Sequence, residues 1–173
     1  MLVGKDAPDW QANAYHDGRE VELSSEDFRG RWHVLYFYPL DFTFICPTEI
    51  VGFEALQEEF EAEDITVIGA STDSFYSHRA WFKDQSVFPG GVSHPVLADT
   101  NHSVAAAFDV LKSDAGVAYR ATVIIDDQGI VRSVTVNDLD AGRSPEETLR
   151  TAIALQSGGL CPAGWTKGQA FAA

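Results

Sequence analysis

Two spacings of apolar residues organise this chain. WHVLYFYP, residues 32–39, is a continuous run of β-favouring apolar residues, and it predicts a strand covered on both faces. Beyond it, Ile50, Phe53, Leu56 and Phe60 recur at intervals of three and four, with Glu54, Glu58, Glu59 and Glu61 between them. That spacing predicts one amphipathic helix over 47–62. ITVIGAST, residues 65–72, is a second buried strand. Strand, helix and strand in this order predict a parallel pair joined by a right-handed crossover.

The second half changes pattern. Short helices are expected over 77–85 and 103–108, separated by a loop containing FPGG at 88–91. Residues 121–125 and 130–136 read as strands around Asp126-Asp127-Gln128-Gly129, a hairpin signal with glycine where φ is positive. Ser144-Pro145-Glu146-Glu147 is a helix start, with Ser144 as N-cap, Pro145 in the first turn and Glu147 closing a capping box. That helix runs to about 157 and stops at Gly158-Gly159. The expectation is one α/β domain over 1–157, a central mixed β-sheet flanked by helices, followed by a flexible, polar tail over 158–173.

Composition narrows the function classes. Twelve Lys and Arg against 26 Asp and Glu give a net charge of −14, which repels phosphate backbones and anionic lipid and argues against nucleic-acid or membrane partners. The start, MLVGKDAPDW, has no basic segment leading into an apolar one, and no run of about 18 apolar residues follows anywhere. A cytoplasmic protein is therefore expected. In a reducing compartment a cysteine pair is seldom a permanent staple, so Cys46 and Cys161 become candidates for chemistry. The plain alternative is two buried cysteines acting as small hydrophobes.

Cys46 lies where the first strand ends and its helix begins, in PLDFTFICPTE at 39–49. Backbone N–H groups point outward at such a helix start, and the dipole there favours a thiolate over a thiol. Pro47 fits the first helical position, where its missing N–H costs nothing. A C-x-x-C dithiol is excluded, because Glu49 occupies the fourth position. Thr43 offers a hydroxyl, and Pro39 and Pro47 stiffen the loop. Taken alone, each has a bland role: turn residues at Pro39 and Thr43, a dipole partner at Glu49, a surface cation at Arg120 and a partner for Glu146 at Arg143. The five histidines show no metal-ligand spacing and read as structural or solvated.

Together these residues form a recognisable pattern. FYPLDFTFICPTEI resembles the peroxidatic-cysteine segment of the peroxiredoxins, P-x-x-x-T-x-x-C, and is most similar to the alkyl hydroperoxide reductase C group of two-cysteine members. APDW, SHRAWF, AYRATVIIDDQG, GRSPEETLR and LCPAGW extend the resemblance over nearly the whole chain, in the family's order. The resemblance implies a thioredoxin-like fold and thiol-dependent reduction of hydrogen peroxide and small organic hydroperoxides, without metal or organic cofactor. Cys46 then looks like the peroxidatic nucleophile, Thr43 like a hydroxyl contacting thiolate and peroxide, and Pro39 like the residue shielding the pocket. Arg120 looks like the arginine that holds the thiolate, Glu49 like the carboxylate that orients arginines, and Arg143 like its second partner. Trp81 matches a packing aromatic, and Cys161 a resolving cysteine that forms an intersubunit disulfide. The implied partners are thioredoxin, a dedicated flavoprotein or a similar dithiol protein, and a second copy of the chain, with a ring of five dimers as the larger assembly. Two other classes stand beside this one: a thiol-disulfide oxidoreductase or redox-regulated chaperone on the same fold, and a binding module with inert cysteines.

Overall fold

The structure is a computed structural model, and it describes residues 1–172. Seven strands form one mixed sheet: β1 (Gln11–His16), β2 (Arg19–Ser24), β3 (Trp32–Phe37), β4 (Ile65–Ser71), β5 (Val96–Ala98), β8 (Arg120–Ile125) and β9 (Val131–Asn137). Their order across the sheet is β2-β1-β5-β4-β3-β8-β9, and β6 (Leu111–Lys112) with β7 (Val117–Ala118) forms a separate small hairpin. The helices are α1 (Cys46–Ala55), α2 (Gln57–Ala62), α3 (Phe75–Trp81), α4 (Ser103–Ala107) and α5 (Pro145–Gln156).

β3 sits near the middle, parallel to β4 and antiparallel to β8. Its unbroken apolar run has a simple cause. Successive side chains point to opposite faces, so Val34, Tyr36 and Tyr38 enter one core with Ile50, Phe53 and Phe60. Leu35 and Phe37 enter the other, with Phe108 and Val123. Both faces are covered, and no alternation is left to see.

Four expectations need correction. The helix over 47–62 is two helices, broken at Leu56, whose φ and ψ of −105° and 10° leave the helical region. Leu56 N–H donates to Phe53 O at 3.2 Å, and the Gln57 side-chain amide donates to the same carbonyl at 3.1 Å. Gln57 thus satisfies with its side chain an acceptor that a continuous helix would reach through the backbone. The first helix also begins at Cys46, so Pro47 stands second. The capping box before α5 is only half made. Ser144 Oγ accepts from Glu147 N–H at 3.1 Å, but the Glu147 carboxylate turns to Arg150 at 2.6 and 2.7 Å. The short helix expected over 77–85 begins earlier, at Phe75, because Ser74 caps it through Ser77 N–H at 3.3 Å.

The 158–172 segment is docked rather than free. Trp165 is buried, its ring stacks on Phe171 with centroids 5.4 Å apart, and its carbonyl accepts from Arg150 Nη1 at 2.7 Å. Lys167 Nζ reaches Glu63 at 2.6 Å, and Ala172 N–H returns to Leu160 O at 2.7 Å. The last residue of the expected tail, 173, lies outside the described residues. Among the described residues no helix is long and apolar enough to cross a membrane.

The sheet tolerates one close approach only because a side chain is missing. A Cβ on Gly69 in β4 would lie 2.8 Å from Tyr36 Oη and 2.9 Å from its Cζ, and Tyr36 Oη is itself hydrogen-bonded to His94 Nε2 at 2.8 Å. Gly69→Ala is expected to destabilise the fold by about 2 kcal/mol, within the usual range for overpacking. Urea denaturation checks this; an unchanged midpoint would mean that Tyr36 repacks freely.

Candidate active site at the start of the first helix

The turn leaving β3 delivers Cys46 to the first position of α1, where its side chain is fully buried. Arg120 opens β8. In the β3–β8 ladder Tyr36 faces Thr122, so two residues further on Arg120 stands at the end of β3 from which the cysteine turn departs. Its Nε donates to Leu139 O at 2.7 Å, which fixes the plane of the guanidinium. Its Nη1 lies 3.3 Å from Cys46 Sγ and 2.7 Å from Glu49 Oε2.

Glu49, one turn beyond Cys46, is almost wholly buried and holds a second arginine with its other oxygen. Glu49 Oε1 accepts from the Arg143 backbone N–H at 2.9 Å and from Arg143 Nε at 2.8 Å. Arg143 Nη1 donates to Phe37 O and Ala121 O, both at 2.5 Å, tying the arginine to adjacent strands. Two guanidiniums face one carboxylate, so one positive charge is left over beside the sulfur. Burial works against the charge on Arg120, but the Cys46 sulfur and the Glu49 carboxylate outweigh it and hold Arg120 above the usual arginine range.

The remaining expected residues divide. Pro39 is buried at the end of β3. The Thr43 hydroxyl donates to Leu40 O at 2.8 Å and, among the described residues, makes no hydrogen bond to Cys46. Trp81 is buried edge-on to Phe88, centroids 4.9 Å apart, and touches Phe42 of the cysteine turn at 5.6 Å. Cys161 is a free, half-buried thiol with its own partners at the end of α5, Ser157 Oγ at 3.4 Å and Ala154 O at 3.5 Å. The structure therefore gathers Cys46, Glu49, Arg120 and Arg143, and keeps Cys161 apart from their hydrogen-bond network.

Residues 3–134 match the AhpC/TSA family. Peroxiredoxin prdx-2 of Caenorhabditis elegans is 49% identical over 96% of this chain and 86% of that protein. The chain belongs to the peroxiredoxins. The reduced two-cysteine peroxiredoxin of Plasmodium vivax superposes with a TM-score of 0.92 at 40% identity, covering 98% of this chain and 92% of that one. AhpC of Enterococcus faecalis gives 0.88 at 36% identity, over 93% and 99%. The fold is thus the thioredoxin-like peroxiredoxin fold, and the activity is that of a thiol-dependent peroxidase of the two-cysteine type.

Of the histidines, expected to be structural or solvated, two are buried and hydrogen-bonded to carboxyl groups, His78 to Asp41 and His94 to Glu54. No local signal announced either pair, because the partners stand 37 and 40 positions apart.

The second pair clamps the far end of α1. Glu54 Oε2 accepts from His94 Nδ1 at 2.8 Å and from Ser93 N–H at 3.0 Å. Half-burial pushes the Glu54 carboxyl up, but the His94 and Ser93 hydrogen bonds outweigh it and hold it at about 2. A depressed carboxyl stabilises the fold above its unfolded value of about 4.3, and that contribution fades as pH falls towards 2. Glu54→Gln should therefore flatten the acid limb of stability between about pH 4.5 and 2, as followed by thermal melts. A limb of unchanged slope would remove Glu54 from the account.

Arg120 generates the catalytic prediction. Arg120→Lys keeps the charge but loses the planar fork that reaches Leu139, Glu49 and Cys46 at once. Peroxide turnover is expected to fall by about one to three orders of magnitude, the scale for losing one transition-state donor. Alkylation of Cys46 at neutral pH should slow alongside. Unchanged rates would leave Arg120 a structural cation.

Proposed function

We propose that the Cys46 thiolate attacks the terminal oxygen of hydrogen peroxide or a small organic hydroperoxide. An S–O bond forms as the O–O bond breaks. The alkoxide or hydroxide that leaves takes a proton to become alcohol or water, and Cys46 becomes a sulfenic acid. The Cys161 thiol of a second copy then condenses with it, releasing water and forming an intersubunit disulfide. A dithiol protein of the thioredoxin type, a dedicated flavoprotein or a similar reductant returns both cysteines to thiols. We place this cycle in the cytoplasm, where such reductants keep thiols reduced.

The observation that carries the reading is Arg120 Nη1, within 3.3 Å of Cys46 Sγ and anchored at 2.7 Å on Glu49. Negative charge moves from sulfur to the leaving oxygen, and a fixed cation between them stabilises the transition state. Pro39 restricts access of water from the strand end. Thr43 acts on the bound peroxide through its hydroxyl oxygen, whose proton is directed at Leu40 O. Arg143 holds Glu49 in place, and Trp81 packs the turn through Phe42. Glu49 also separates this reading from a local dithiol oxidoreductase: the position where a second cysteine would stand is the anchor of both arginines.

Catalytic consumption of hydrogen peroxide with dithiothreitol as reductant tests the reaction. Turnover should vanish in Cys46→Ser, and wild-type consumption that never exceeds one equivalent would sink the peroxidase cycle. Peroxide should also convert the reduced chain to dimers on non-reducing gels, a band that Cys161→Ser abolishes. Oxidised protein that stays monomeric there would point to an intrachain bridge. Homodimers, and a ring of five of them, are the assembly this cycle implies; light scattering measures it.

A further inference from the structure

Beneath the cysteine turn lies a buried histidine–aspartate pair that the proposed reaction does not use. His78 of α3 and Asp41 of the turn have fully buried side chains, with His78 Nδ1 2.8 Å from Asp41 Oδ2. The other ring nitrogen, Nε2, lies 3.2 Å from Leu97 O. A carbonyl oxygen only accepts, so Nε2 carries a proton. Both ring nitrogens are therefore engaged, Nε2 on the carbonyl and Nδ1 on the carboxyl group, and the ring is held from both sides. The groups around it fit: Tyr38 Oη donates to Asp41 Oδ1 at 2.8 Å and stands 3.4 Å from Nδ1, while Phe82 stacks nearly parallel on the ring, 5.6 Å away. Asp73, the other carboxylate facing this cluster, is occupied by the Asp41 backbone N–H at 2.9 Å and Ser71 Oγ at 2.8 Å.

What this pair holds is strained. Phe42, next to Asp41, has φ of 55°, left-handed backbone that a non-glycine residue adopts only at a cost. Such a conformation persists only where its surroundings over-determine it. α3 does so from two neighbouring positions on one face, His78 gripping Asp41 and Trp81 packing on the Phe42 ring. Pro39 and Thr43 flank the gripped residues.

We propose that His78 is a positioning residue for the peroxide reaction: held at both ring nitrogens, it fixes Asp41, and through it the strained 39–43 turn that sets Pro39 and Thr43 against Cys46. The proposal rests on the reading of Cys46 as the nucleophile. It has a signature that bulk stability lacks, because the two cysteine steps ask opposite things of this turn. Attack on peroxide needs it fixed, whereas disulfide formation needs the Cys46 segment to open towards Cys161.

Stopped-flow measurements on the full chain separate the steps, with His78→Gln and Asp41→Asn as variants. The rate constant for peroxide with Cys46 should fall by about 10- to 100-fold, the scale of a small misplacement in a preorganised site. Disulfide formation should rise by several-fold in the same variants. Folded variants in which both rates are unchanged, or both fall by one factor, overturn the proposal. A wild-type chain that does not react with peroxide sinks the reading of Cys46 itself; a reactive wild type with unaltered variants sinks only the role of His78.

Discussion

One carboxylate holds the catalytic end of this molecule together. Glu49 comes from α1, Arg120 from β8 and Arg143 from the loop before α5, and Glu49 is the one anion that both arginines share. Charges this deeply buried are tolerated only when paired and hydrogen-bonded, and apolar packing would often serve stability as well or better. The arrangement is therefore better understood as chemistry than as glue. Two cations on one anion leave the cluster short of a negative charge, and the Cys46 sulfur is the group placed to supply it.

The sheet explains why those segments meet. A parallel β3–β4 pair sends its connecting helix out from the carboxyl ends of the strands, the usual place for a site in an α/β sheet. The antiparallel β8 then runs back beside β3, so that its first residue, Arg120, arrives at the same end. One topological feature thus aligns a helix start, a strand start and the turn between them. The Arg143 hydrogen bonds to Phe37 O and Ala121 O close this corner where the β3–β8 ladder ends.

How much of this was legible depended on distance along the chain. The βαβ unit and the Cys46 turn were readable because their signals are contiguous: a run of apolar residues, a helical spacing and a proline-framed cysteine within 39–49. Arg120 and Arg143 were weak by themselves, since their partner Glu49 is 71 and 94 positions away. Only the family resemblance joined them. The β1–β2 hairpin has a turn signal in Asp17-Gly18 but little strand signal, because its strands are half-exposed and polar, QANAYH and REVELS. The break at Leu56 depends on a side-chain hydrogen bond from Gln57, which helical periodicity does not encode. His78 and Asp41 left no trace at all, their meeting being a matter of tertiary packing.

The docked tail poses the remaining question of energetics. A disulfide requires Cα atoms about 4.4–6.8 Å apart, yet Cys161 is held on α5 and Cys46 within the arginine cluster. The two restraints differ in strength. Around Cys161 the main contribution is the burial of Trp165, worth about 2–3 kcal/mol for a large apolar side chain. The Lys167–Glu63 contact is largely exposed on the lysine side, where such pairs contribute about 0–1 kcal/mol. The Cys161 hydrogen bonds are long and neutral. Around Cys46, opening the turn breaks charge-assisted contacts in a buried cluster and releases the His78–Asp41 pair. The tail is therefore the segment that yields at lower cost. Of the two thiols that a disulfide would join, Cys46 is the one whose release from its surroundings costs more.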